Sequence, residues 1–231
     1  MRKRFILFLT IILLVTSILM TTFLVAKKEN SQNVLGWKEV IIYLDPGHGG
    51  FDGGAIGIDG TYEKDIVLNI CLKLERYFKQ SGFKVALTRR TDVALHSPGS
   101  KNAKRDDIYK RVSLINKSNA DLFLTIHANA FSSSKVKGAQ VFYSDKNPSS
   151  KDLAGAIQNM ISLYHENNHR PSKSISGKYL LDHVEIPGCL VEVGFLSNLE
   201  DLENLKNDEY LEEMAFIIYL GVLQYLHKNY R

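Results

Sequence analysis

The sequence predicts an α/β fold: a single domain built on a largely parallel sheet of about six strands, flanked by helices on both faces and preceded by an N-terminal transmembrane segment. Three observations predict it. Short apolar runs alternate with longer stretches of helical periodicity, an order that gives a sheet covered on both faces. The chain has 231 residues, is 45% hydrophobic and 23% charged, and so is long enough for one good core and marginal for two. An apolar run near the N-terminus exceeds what a buried helix needs.

That run is residues 5–26, FILFLTIILLVTSILMTTFLVA, preceded by Arg2, Lys3 and Arg4 and followed by Lys27 and Lys28. A cleavable signal peptide and a signal-anchor both fit it, and both place the remainder outside the cytoplasm. Its length, with Leu24 and Ala26 at the would-be cleavage positions, favours the anchor. Residues 1–28 are thus expected to be the targeting segment, 29–39 a polar tether, and 40–231 the folded domain. Beyond the tether, strands are expected near 40–45, 83–88, 121–127, 138–143, 178–181 and 187–193. Helices are expected near 62–80, 105–118, 151–166 and 209–227.

Charge excludes one class of partner. Five of the 29 basic residues belong to the targeting segment, which leaves 24 against 25 acidic residues from Glu29 onward. A nucleic-acid partner has no support from that balance. Cys71 and Cys189 are too few for a disulfide scaffold or a cysteine metal cage, and each sits in an apolar pattern.

The chemistry is concentrated at element ends. In the helix opened by TYEKD, the residues Ile66, Val67, Ile70, Cys71, Leu74, Tyr77 and Phe78 form one stripe. Glu63 precedes Ile66 and Val67 by three and four residues, so it stands on the core side of the first turn, where a carboxylate needs a partner. The alternative is a helix-start charge that folds back to water. His127 ends the apolar strand of ADLFLTIHANAF, and His48 follows its own strand in LDPGHGGFDGG. Both imidazoles are therefore expected at the carboxyl edge of the sheet, where open α/β folds bind ligands. Two histidines and one carboxylate form a set that leaves a fourth position on Zn2+ open, the composition of a catalytic site.

Glu192 sits inside the apolar strand of IPGCLVEVGFLSN. Burial there raises a carboxyl pKa, which suits a group that takes a proton and returns it. The competing reading pairs it with a buried arginine, Arg89, Arg90 or Arg111. The glycine-rich turn lacks the lysine and hydroxyl residue of a P-loop, and Asp52 occupies the sixth position counted from Gly47, so neither phosphate motif is met.

Taken together, LDPGHGGFDGGAIG, YEKD, LTRRTD, ADLFLTIHAN and CLVEVGFLSNLED resemble, in order and spacing, the zinc-dependent N-acetylmuramoyl-L-alanine amidases of bacterial cell walls, the type 3 amidase family. Size, anchor and lack of further modules are most similar to the germination-specific spore cortex amidases of spore-formers. The resemblance implies that His48, Glu63 and His127 hold zinc and that Glu192 is the catalytic glutamate. It further implies that the bond cut joins the lactyl group of N-acetylmuramic acid to L-alanine of the stem peptide in peptidoglycan.

The chain is too short between its strands for an inserted inhibitory helix, so control would fall to an accessory activating protein or to expression. Asp45 and Asp52 are expected to fix the turn or to orient His48 through its other ring nitrogen. Arg111 and Asn129 are expected to brace the site or touch substrate, and His183 to line the cleft. A cell-wall zinc peptidase and a membrane-anchored, inactive peptidoglycan-binding protein are the competing functions.

Overall fold

The computed structural model describes residues 13–22, 39–165 and 168–230. The chain divides into two units, Met1–Trp37 and Lys38–Arg231. Of the first, residues 13–22 are described as a helix (α1) whose apolar side chains Leu13, Leu14, Ile18, Leu19 and Met20 are exposed. The rest of the expected targeting segment and nearly all of the tether lie outside the described residues. Among the described residues no helix is long and apolar enough to cross a membrane.

The second unit is an α/β domain on one six-stranded sheet. In chain order its elements are β1 (Ile41–Pro46), α2 (Glu63–Gln80), β2 (Lys84–Leu87), α3 (Ala103–Asn116), β3 (Leu122–Asn129), β4 (Gln140–Tyr143) and α4 (Pro148–Tyr164). Then follow β5 (Lys173–Ser174), α5 (Tyr179–His183), β6 (Gly188–Phe195), α6 (Leu199–Lys206) and α7 (Asp208–Asn229). The strand order is β2-β1-β3-β6-β4-β5, parallel throughout except for the antiparallel β4–β6 pair.

From β1 the chain runs first to β2 on one side and then to β3 on the other. The crevice between the carboxyl ends of β1 and β3 is therefore a topological switch point, the usual ligand position in an open α/β sheet. Strand register decides which side chains share a face. Asp45 stands beside Thr125, Thr125 beside Leu190, and His127 beside Glu192. These residues share the face on which Tyr43, Phe123 and Leu190 pack with Ile115, Leu180, Leu181 and Val184 from the α3 and α5 region. The opposite face carries Ile42, Leu44, Leu124, Ile126 and Val191, all buried, under α2 and α4, with α7 packed against both of those helices. With both faces covered, the central strands need continuous apolar runs rather than alternation.

Helix ends follow local chemistry. Asn102, Asn147, Asn198 and Asn207 each cap a helix by accepting a backbone N–H from its first turn. Asn207 both closes α6 and opens α7, so the chain turns between them without a linker.

Two expectations need correction. The apolar stretch 178–181 is not a strand: Leu180 and Leu181 are buried from one side of a short helix, α5, whose entry turn is fixed by Asp182 Oδ2 accepting the Gly177 N–H at 2.9 Å. The fifth strand is instead the two-residue Lys173–Ser174. Helix α6 was not anticipated, because its eight residues are strongly charged and only Asp201, Leu202 and Leu205 are buried.

Candidate active site

The loop after β1 carries His48 at φ 59°, the single non-glycine residue in the left-handed region among the described residues. Such a conformation is unusual outside glycine and persists only where the surroundings impose it. Two buried guanidinium groups impose it here. Arg89 donates to the carbonyls of Pro46 (3.1 Å), Gly47 (2.7 Å) and Lys64 (2.9 Å). Arg111 donates to the carbonyls of Pro46 (2.7 Å) and His48 and to Asp45 Oδ1 (2.7 Å). The loop's inward carbonyls thus have charged donors in place of secondary structure.

Asp45 completes this brace. It is 1% exposed and also accepts from Thr88 Oγ1 at 2.6 Å and Thr125 Oγ1 at 2.7 Å. Burial opposes its ionisation, but Arg111 and the two hydroxyls hold the carboxyl below the usual range. Asp45 therefore fixes the loop and does not reach the His48 ring. That task falls to Asp52, whose Oδ2 lies 2.9 Å from His48 Nδ1 while its Oδ1 pairs with Lys104.

With Nδ1 engaged, His48 presents Nε2 to Glu63 Oε1 at 3.2 Å. Glu63 opens α2, 3% exposed, where the helix dipole favours an anion. Its Oε2 accepts the Ala55 N–H at 2.7 Å, and its Oε1 accepts the Ala128 N–H at 3.1 Å and lies 2.8 Å from His127 Nδ1. Burial alone would raise the Glu63 carboxyl, yet the two imidazoles hold it well below the carboxylate range. The His48 ring, for its part, is raised despite burial, by Glu63 and Asp52.

The ligand atoms of His48, Glu63 and His127 lie within 4.8 Å of one another. Two glycines make room for them. A Cβ at Gly47 would stand 2.4 Å from the His127 ring, and one at Gly54 would stand 2.5 Å from Glu63 Oε2 and 2.8 Å from His48. Two imidazole nitrogens, one carboxylate oxygen and a second carboxylate orienting one ring from behind form a set that suits a zinc-type divalent cation.

Glu192 comes from β6, paired with His127 across the strands. It is 8% exposed, and its Oε2 is buried with no hydrogen-bond partner among the described residues. Burial pushes this carboxyl up; His127 draws it down and Glu63 pushes it further up. None of Arg89, Arg90 and Arg111 pairs with it: Arg90 binds Glu75, and the other two brace the His48 loop.

A cavity of about 340 Å3 joins these groups, lined by His48, Glu63, His127 and Glu192 together with Thr125, Asn129 and the α5 region. Asn129 follows an irregularity in the β3–β6 register that begins at His127, and its side-chain oxygen accepts the Ala130 N–H at 2.8 Å. His183 does not line the cavity; it is exposed and stacks on Tyr179 at 3.8 Å. Arg89 was absent from the expected site, although an arginine directly after a strand in LTRRTD was a usable signal.

A family profile described as N-acetylmuramoyl-L-alanine amidase matches residues 42–224. The chain belongs to this family. It is 43% identical over 188 residues to the germination-specific N-acetylmuramoyl-L-alanine amidase of Bacillus subtilis, covering 80% of this chain and 79% of that one. The amidase LytC of the same organism is 32% identical over 80% of this chain, which spans 35% of LytC's length. Among solved structures, the CwlD amidase from Clostridioides difficile, in complex with the GerS lipoprotein, superposes with a TM-score of 0.80 at 38% identity, covering 83% of this chain and all of that one. AmiC2 of Nostoc punctiforme gives 0.72 at 32% identity, covering 83% and 99%. The match to the family runs from within β1 to within α7.

Proposed function

We propose that the chain cleaves the amide bond between the lactyl group of N-acetylmuramic acid and L-alanine of the peptidoglycan stem peptide. His48, Glu63 and His127 hold Zn2+ in this proposal, and Glu192 is the catalytic base and acid. The observation that carries it is the buried, unpartnered carboxylate of Glu192 placed one strand from the His48–Glu63–His127 cluster in a chain of the amidase family.

Bound zinc supplies a Lewis acid for a carbonyl oxygen and lowers the pKa of water toward ~7. Glu192 takes one proton from the attacking water as oxygen adds to the lactyl carbonyl. It then delivers that proton to the alanine nitrogen as the C–N bond breaks, and the second proton of the water passes from the new lactyl carboxyl group to the released amine, leaving a carboxylate and a peptide ammonium. Asp52 keeps His48 in the tautomer with Nε2 free, and the two arginines keep its backbone in place.

Residues 1–28 hold the protein at the membrane as a signal-anchor, 29–39 tether it, and 40–231 work on the extracytoplasmic side. The germination-specific relative supports a role in maturing spore cortex peptidoglycan. The relative bound to a lipoprotein supports an accessory protein as the means of control. Mass spectrometry of peptidoglycan digested by the purified protein tests the central activity. Released stem peptides beginning with free L-alanine are expected; fragments cut within the peptide would replace the amidase by a zinc peptidase, and no release would favour a binding protein.

A further inference from the structure

The cleft contains one cation that the proposed reaction does not use. Lys178 is the single lysine or arginine among the residues lining the cavity, whose ionisable groups are otherwise His48, His127, Glu63, Glu192 and the Tyr179 phenol. Its ammonium has no hydrogen bond or ion pair among the described residues, as holds for other exposed lysines such as Lys101, Lys110 and Lys151; what sets Lys178 apart is that it lines the cavity of the His48–Glu63–His127 cluster. Its charge reaches Glu192.

The backbone that presents Lys178 is held firmly. Asp182 accepts the Gly177 N–H through Oδ2 (2.9 Å) and the Ser144 hydroxyl through Oδ1 (2.8 Å), and the Asp182 N–H donates to the Lys178 carbonyl (3.0 Å). Leu180 and Leu181, each 5% exposed, sink the next turn into the core. Tyr179 is clamped between Tyr109, with ring centres 4.7 Å apart, and His183 at 3.8 Å. A rigid mount that carries an unpaired ammonium on a cleft wall is an arrangement for recognising an anion, since fixing the backbone lowers the entropy lost on binding.

We propose that Lys178 is a specificity residue that binds a carboxylate of the stem peptide, on the leaving-group side of the scissile amide. This inference rests on the amidase assignment. The bond cut is neutral, so an ammonium on the cavity wall has two charged targets in the complex, a carboxylate of the flanking peptide and Glu192. The aromatic mount also explains why Tyr179 remains 38% exposed beside the cavity: its role is to hold the lysine's turn.

The test compares two substrates on the full-length, zinc-supplemented protein: a muramoyl-tripeptide with free carboxylates and its fully amidated counterpart. Wild type is expected to prefer the free acid by about tenfold in kcat/KM, the size of one hydrogen bond to a charged group. Lys178→Gln should bring the ratio close to one, Lys178→Arg should keep most of it, and added salt should shrink it in wild type. Thermal midpoints and zinc content of both variants, equal to wild type, would show that fold and metal site are intact. A wild-type ratio near one overturns the proposal, as does an equal loss on both substrates in Lys178→Gln with a shifted pH profile, which would make Lys178 a counter-ion of Glu192. Failure of wild type to cleave either substrate would count against the proposed cleavage itself, a separate result.

Discussion

The two walls of the cleft each carry one buried glutamate, and the two are treated in opposite ways. On the α2 wall, Glu63 is met by two imidazoles and two backbone N–H groups, and its carboxyl is held well below the normal range. On the β6 wall, Glu192 has an oxygen with no partner among the described residues, and burial pushes its carboxyl up. The same side chain is thus fitted on one wall to remain an anion and on the other to exchange a proton. In the proposed reaction it is environment, and not residue type, that separates a ligand from a general base.

The largest effect that would break this contrast is on turnover. Glu192→Gln keeps shape and removes the proton acceptor, so kcat is expected to fall by about 10³-fold in a peptidoglycan-release assay. Next comes the brace behind the α2 wall. Arg111→Met leaves the Asp45 carboxylate buried without its cation, and urea unfolding is expected to show a loss of about 3–5 kcal/mol, whereas Glu192→Gln should cost little stability or none. Pairing Arg111→Met with Asp45→Asn should recover part of that loss.

A smaller effect sharpens the contrast on the metal side. Asp52→Asn weakens the hold on His48 Nδ1, and zinc affinity measured by competition with a chelator is expected to fall about 10–100-fold. The smallest effect concerns the far end of α2, which is tied to α7 through Glu212. Arg76 and Tyr77 hydrogen-bond that carboxylate, with Lys73 beyond them, and hold its pKa at about 2. A carboxyl lowered on folding stabilises fully above its unfolded pKa, ~4.5, and loses that contribution as pH falls toward about 2. Thermal midpoints should drop over that window in wild type and drop less steeply in Glu212→Gln.

The sheet and the cleft differ in how legible they were. β1, β3 and β6 are apolar on both faces, so their runs announced central strands, and the histidines at their ends followed from the fold class alone. Glu63 and Glu192 stood out because a carboxylate within an apolar pattern demands an explanation. The stretch 178–181 opens a helix and is not a strand; a run of four residues ending in two leucines reads equally as either, and the deciding contact, Asp182 with Gly177 and Ser144, joins positions up to 38 apart. The split of labour between Asp45 and Asp52 was hidden for a like reason: Asp45 is claimed by Thr88, Arg111 and Thr125, which only the tertiary fold brings together. Arg89, which the sequence offered only as a possible partner of Glu192, braces the His48 loop instead; its targets are backbone carbonyls, which side-chain pattern does not reveal.

Zinc stoichiometry of Glu63→Gln and Glu192→Gln, determined by elemental analysis after dialysis, tests the division between the two walls most directly. Glu192→Gln is expected to retain one zinc per chain while inactive, and Glu63→Gln to lose most of it. Equal zinc loss in both variants, or full retention in Glu63→Gln, would contradict the assignment of ligand to one wall and base to the other.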